Sequence, residues 1–165
     1  MSDAAIRAVS AADAEQIAAI YNHYVAHSVI TFEEESVSVP EMAARIAGIQ
    51  KQDLPWLVAE LDGEIAGYSY ANRWKARSAY RHSVETTIYL RAGMERRGIG
   101  KALYRSLLTL LRDRNIHVVI GGAALPNPAS VALHEKLGFK HVATFSQVGF
   151  KHRRWVDVAY WQLIL

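Results

Sequence analysis

Two glycines and three cations fall within six residues, Arg96-Arg97-Gly98-Ile99-Gly100-Lys101. They sit inside the segment Val84–Leu103, V-E-T-T-I-Y-L-R-A-G-M-E-R-R-G-I-G-K-A-L, where an apolar run breaks into a basic turn and then a helix. Backbone N–H groups at a helix start are unpaired, and the helix dipole adds partial positive charge, so such a turn binds anions. Gly98 and Gly100 carry no side chain to hold a phosphate away, while Arg96, Arg97 and Lys101 add full charge. Two common phosphate patterns fail. A Walker loop requires G-K-S/T, but Ile99 follows Gly98 and Ala102 follows Gly100-Lys101. A dinucleotide fingerprint requires a third glycine where Leu103 stands.

Glu85 is a carboxylate within an apolar, Thr-rich run. Facing a core it needs a partner or a purpose, and removal of a proton from an amine is one such purpose. The other reading is an outward-facing Glu on a strand edge. Lys75 and Arg77 lie in a polar loop suited to holding a carboxylate, or simply to solvation. Thr86 and Thr87 can bond a substrate or merely favour the strand. Phe32 can wall a side-chain pocket or join the core. Asn127 reads as a helix cap, and His134 as a helix residue that titrates near neutrality. His23, His27 and His152 lack metal-ligand spacing, so no metal site is expected. The chain has no cysteine and no G-x-S-x-G elbow, which leaves no thiol or elbow serine to carry an acyl group.

The elements that must position these groups follow from pattern. At 165 residues, 51% apolar and 21% charged, the chain is expected to form a single domain over 1–165. A net charge of +3 suits an anionic small molecule and falls short of a nucleic-acid binder's basic patches. No apolar run reaches membrane-spanning length, and the N-terminal M-S-D-A-A-I-R lacks the apolar core of a signal peptide. A cytoplasmic protein is expected. Strands are expected at Ala5–Val9, Trp56–Leu61, Glu64–Asn72, Ser83–Leu90, His117–Ala123, about Lys140–Phe150 and Trp155–Leu165. Helices are expected from Ser10, with Asp13 reaching back to cap it, from Pro40 to about Gln50, over Ile99–Arg114 and over Ser130–Leu137. Asp62-Gly63 signals a hairpin. The order is β-α-α-β-β-β-α-β-α-β-β, a mixed α/β class.

The loop Glu95–Gly100 resembles the acetyl-CoA pyrophosphate loop of the GNAT (GCN5-related) N-acetyltransferases, Gln/Arg-x-x-Gly-x-Gly/Ala. It matches at both small positions and departs at Glu95. The run Asn127–Phe139 resembles that family's N-x-x-A/S-x-x-L/F-Y-x-x-x-G-F segment, with Asn127 and Ser130 matching and His134 in the usual Tyr place. The element order is also that of the GNAT fold, a central mixed, largely antiparallel sheet. Trp74–Tyr80, Val84–Leu90, Ala124–Asn127 and Gly149–Val158, with Asn22–Tyr24 and Thr31–Glu33, resemble the phosphinothricin and methionine sulfoximine N-acetyltransferases.

The resemblance implies acetyl-CoA as donor and transfer to the α-amino group of a small amino acid by direct attack. It implies that backbone groups of Ile88, Tyr89 and Leu90 hold pantetheine, that Arg96–Lys101 hold the pyrophosphate, and that Asn127 and Ser130 contact the pantetheine arm. Glu85 would deprotonate the amine and His134 would protonate the departing thiolate. Phe32, Lys75, Arg77, Glu85, Thr86 and Thr87 would meet the substrate. The subgroup also implies a homodimer. Two other readings stay open: acetylation of a protein N-terminus, lysine or other amine, and a non-catalytic acyl-CoA sensor.

Overall fold

The computed structural model describes residues 4–165; Met1–Asp3, where the N-terminal reading begins, lie outside the described residues. Seven strands form one sheet: β1 (Ala5–Ala8), β2 (Trp56–Leu61), β3 (Glu64–Arg73), β4 (Ser83–Leu90), β5 (Val118–Ala124), β6 (Lys140–Lys151) and β7 (Arg154–Ile164). The helices are α1 (Ala14–His27), α2 (Val39–Gln50), α3 (Ile99–Asp113) and α4 (Pro128–Lys136). Their order is the one expected, with most ends moved by a residue or two. The start of α1 moves furthest, to Ala14, and α4 begins two residues early because Asn127 caps it and Pro128 opens its first turn.

Local chemistry accounts for the boundaries. Asp62 and Gly63 both take positive φ, the backbone that a tight two-residue hairpin between β2 and β3 demands. Asp13 reaches back to the Ser10 backbone N–H at 2.7 Å and also receives the Arg7 guanidinium as a fork, at 2.8 and 2.9 Å. A short 3-10 turn, Ala11–Asp13, therefore precedes α1. The Ser38 hydroxyl accepts the Glu41 N–H at 3.2 Å and caps α2, a contact worth about 1 kcal/mol.

The strand order is β1-β2-β3-β4-β5-β7-β6, antiparallel throughout except for β4 beside β5. That parallel pairing runs only from Ser83↔Val118 to Thr86↔Gly121. Beyond it β4 continues to Leu90 and β5 to Ala124 without pairing with each other. Residues 87–90 keep their partners on β3 and leave the β5-facing edge open. A split of this kind exposes unpaired N–H and C=O groups in the middle of a sheet.

Alternation along β4 sorts its side chains. Tyr89 packs edge-on against Tyr21 of α1, with ring centres 5.3 Å apart, so Glu85, Thr87 and Tyr89 share the α1 face. Thr86 meets Tyr104 of α3, so Thr86 and Ile88 share the opposite face. On α3, Ile99, Leu103, Leu107 and Leu111 are buried as their spacing requires; Tyr104 and Leu108 join them, and Leu110 is only half-buried. Among the described residues no helix is long and apolar enough to cross a membrane.

Candidate active site

The split between β4 and β5 opens into a cleft of about 1970 Å³. Its floor is the free edge of β4, and Thr87, Ile88, Tyr89 and Leu90 all line it. The Tyr24 hydroxyl bonds the Leu90 carbonyl at 2.5 Å and pins the strand end to α1.

At one end lies the basic turn. Gly98 sits before α3 with φ of 80°, a left-handed conformation that a glycine adopts without strain, and among the described residues no side chain caps the helix behind it. The first N–H groups of α3 are thus left to a ligand. Arg96, Gly98, Gly100 and Lys101 line the cleft. Arg97 is exposed and lines none of it, and the Ile99 side chain is buried in the core, which limits Ile99 to its backbone N–H. A Cβ on Gly100 would reach Ile88 and Leu133 at 3.5 Å, so that stretch of wall is already filled to contact. An uncapped helix start, flanking cations and an open strand edge together fit a pyrophosphate with an amide-bearing arm behind it.

Glu85 lies where the strands part. It is half-buried, and its pKa is pushed up by loss of water around it, an effect that Lys75 partly opposes. A carboxylate displaced upward is the better base. Lys75 lines the same wall, with its ammonium 4.8 Å from the Trp74 ring centre. Arg77 does not join it: it is exposed at the head of the 3-10 turn Ser78–Tyr80 and lines none of the cleft. Phe32 lines the cleft and lies against Gly149, where a Cβ would fall 2.2 Å from its ring.

On the opposite face sits a chain of polar groups, Thr86 Oγ1 to Tyr104 hydroxyl at 3.0 Å and Tyr104 hydroxyl to His134 Nε2 at 3.2 Å. His134 Nδ1 meets the Ser130 carbonyl at 2.7 Å. A carbonyl only accepts, so Nδ1 carries the hydrogen and Nε2 accepts from Tyr104. His134 is 2% exposed and stacks on Trp161, and burial pushes its pKa down. The charged imidazolium that would make His134 itself the proton donor is therefore disfavoured, and one tautomer of the neutral ring is held. Burial also pushes the Tyr104 hydroxyl up to about 12. Asn127 serves two ends at once, capping α4 through the Ser130 N–H at 3.1 Å while lining the cleft beside Ser130.

Tyr104, Tyr24, Trp74 and Tyr160 were not legible as site residues. Tyr104 falls on the apolar stripe of an amphipathic helix, where an aromatic reads as core.

Residues 6–160 match the family described as Acetyltransferase (GNAT) domain. The chain belongs to the GNAT acetyltransferases. It is 40% identical over 157 residues to a phosphinothricin N-acetyltransferase of Streptomyces viridochromogenes, covering 95% of this chain and 85% of that one. It is 33% identical over 160 residues to an L-methionine sulfoximine/L-methionine sulfone acetyltransferase of Salmonella typhimurium, covering 97% and 94%. A crystal structure of a GNAT phosphinothricin acetyltransferase from Sinorhizobium meliloti, in complex with acetyl-CoA, superposes with a TM-score of 0.96 at 38% identity, covering 99% and 89%. Acetyl-CoA is accordingly the acetyl donor of this GNAT enzyme, and the basic turn and open β4 edge are the features of this chain suited to hold it.

Proposed function

We propose that residues 1–165 form one domain that transfers acetyl to the α-amino group of a small amino acid of the phosphinothricin or methionine sulfoximine kind. The observation that carries this reading is Glu85, a desolvated carboxylate on the cleft wall at the point where β4 and β5 part. Acetyl-CoA supplies the activated acetyl group. Glu85 takes the proton from the attacking amine, directly or through one water, because only a neutral amine is a nucleophile. Lys75 holds the substrate carboxylate. Phe32 and Thr87 border the substrate on the same face. The N–H groups of Ile88–Leu90 on the open edge orient the pantetheine arm and polarise the carbonyl under attack. On the other face the Tyr104 hydroxyl turns its hydrogen from His134 Nε2 to the sulfur as the C–S bond breaks, leaving a phenolate that accepts from Thr86 Oγ1, and His134 is the positioning residue that orients Tyr104.

We also propose a homodimer. Phe150 and Trp155 pack on each other with ring centres 4.8 Å apart, yet they are 56% and 63% exposed on the β6–β7 hairpin. Apolar groups clustered at a surface favour a second copy of the same edge. The absence of cysteine suits a cytoplasmic site.

CoA-thiol release tests the activity. Turnover on methionine sulfone, methionine sulfoximine or phosphinothricin, and little on peptides with a free N-terminus or lysine, is the expected pattern. Turnover on peptides alone would favour a protein acetyltransferase, and binding of acetyl-CoA with no release on any amine would favour a sensor.

A further inference from the structure

The loop 28–38 joins α1 to α2, and its residues Ile30, Thr31 and Phe32 line the cleft. Most of its polar ties run back to the helices it joins. Asn22 of α1 pairs with the Val37 backbone in both directions, each at 2.8 Å. Arg45 of α2 forks onto Glu33 at 2.9 and 2.6 Å. The Tyr21 hydroxyl meets Thr31 Oγ1 at 2.8 Å and also bonds Glu33.

One tie runs the other way. Lys151 of β6 donates from its ammonium to the Thr31 carbonyl at 2.8 Å, across 120 positions of sequence. Among the described residues this is the hydrogen bond that joins the loop to the half of the sheet beyond the split. Lys151 is 1% exposed. Burial pushes its pKa down, while Glu34 and Glu33 pull it back through space. A buried charge is costly unless well paired, and one carbonyl answers only one of three ammonium donors. Such a group is a poor means of gaining stability. A long stem with a directional head is well suited to hold one backbone atom in place.

The strand beneath carries the same contact further. Gly149 and Lys151 are two apart on β6 and both buried, so they share a face, while Phe150 between them is exposed. That face holds Thr31 through Lys151 and Phe32 through Gly149, where a Cβ would fall 2.2 Å from the Phe32 ring. Val29 packs with Ala124 of β5 and Val156 of β7 in a small buried cluster. The loop is thus a strap. It is rooted in α1 and α2, fastened to β6, and spans the β4–β5 split on the α1 face that Glu85 shares.

We infer that Lys151 is a positioning residue for acetyl transfer: its ammonium fastens the strap across the split through the Thr31 carbonyl and so holds Phe32 against the bound amino acid. The inference rests on the reading of Phe32 as a substrate wall in an amino-acid acetyltransferase. Lys151 itself lines none of the cleft, so it acts through the loop.

Isotope-labelled wild-type protein gives the first test. A buried, bonded ammonium exchanges its hydrogens slowly, so the Lys151 Nζ–H signal should be resolved in cold buffer and should couple through the hydrogen bond to the Thr31 carbonyl carbon. A Lys151 ammonium that exchanges as fast as the surface lysines overturns the proposal. Lys151→Met gives the second test, because it keeps an apolar stem and removes the donors. The Phe32 amide signal should move. KM for methionine sulfone should rise roughly fivefold or more, with kcat and the acetyl-CoA dissociation constant little changed, since the strap borders the amino acid in ground and transition states alike. Loss of kcat with KM unchanged, or an equal loss of acetyl-CoA affinity, overturns the positioning role. Gly149→Ala presses on Phe32 from the same strand face and should also raise KM, and the double variant should show less than the product of the two effects. A full product shows that the two residues do not act on one strap and overturns the proposal. Turnover on no free amino acid, with the Lys151 coupling present and the Phe32 amide displaced in Lys151→Met, would sink the amino-acid reading and leave the strap standing.

Discussion

Glu85 and His134 stand on opposite faces of the sheet, separated by the backbone of Gly121 and Gly122. A Cβ on Gly121 would fall 2.2 Å from His134 Nε2, and one on Gly122 would fall 3.5 Å from Glu85 Oε1 and 2.9 Å from the Tyr160 ring. The two residues can serve one reaction only through the β4–β5 split, with the amine on one side and the leaving sulfur on the other. Gly121→Ala should push His134 off Tyr104 and cost about 1–3 kcal/mol of stability by overpacking. Thermal unfolding measures that loss, and kcat should fall with the acetyl-CoA dissociation constant little changed. Gly122→Ala should instead disturb the amine side and raise KM for the amino acid. Equal effects from both would show that the faces are not functionally distinct.

Glu85→Gln should lower kcat/KM by roughly 10²–10⁴ at neutral pH, the span typical of a general base. The deficit should shrink as pH rises and free amine becomes abundant. Stability should move the other way. The pKa of Glu85 is raised in the folded state, so folding favours its protonated form, and wild-type stability falls as pH climbs through the carboxylate range. The Gln variant should therefore melt higher than wild type at pH 7, and the difference should vanish at low pH. A variant that melts lower at pH 7 would show that Lys75 outweighs desolvation.

Tyr104→Phe removes the hydroxyl between Thr86 and His134 while keeping the ring. A fall in kcat of at least tenfold is expected, with acetyl-CoA affinity retained. His134→Phe should weaken the same step by freeing the Tyr104 hydroxyl, and its pH–rate profile should show no lost group near pH 6.5, because the native ring is held neutral. Loss of a limb in that range would restore the imidazolium as donor.

Gly100→Val tests the anion site. The added methyls would press on Ile88 and Leu133, which already lie at contact distance from the Cβ position. The acetyl-CoA dissociation constant should rise at least tenfold, about 1.4 kcal/mol. Unchanged affinity in a folded variant would remove the turn from the cofactor site.

Phe150→Glu with Trp155→Glu places two charges on the exposed hairpin patch. If that patch joins two copies, the wild type should sediment as a dimer and the variant as a monomer. A monomeric wild type would leave the patch without this role.

Features set by neighbouring residues were legible in the sequence. The strand Ser83–Leu90 falls where its β-branched run lies, Asp62-Gly63 turns because both residues tolerate positive φ, and Gly98 opens α3 for the same backbone reason. The carboxylate of Glu85 also announced itself, as a charge in an apolar run. Tertiary structure alone decided which groups meet. Tyr104 and His134 are 30 positions apart and touch because α3 and α4 pack on one face of a sheet that parts between β4 and β5. Arg77 and Lys75 are near neighbours in one loop, yet only Lys75 lines the cleft. Arg45 lost its freedom to Glu33, 12 positions away, and Lys151 buried its ammonium against the Thr31 carbonyl, 120 positions away. Periodicity reports which face a side chain takes; it carries no information about the partner waiting there, because that partner comes from a distant segment whose position is fixed only when the whole sheet is packed.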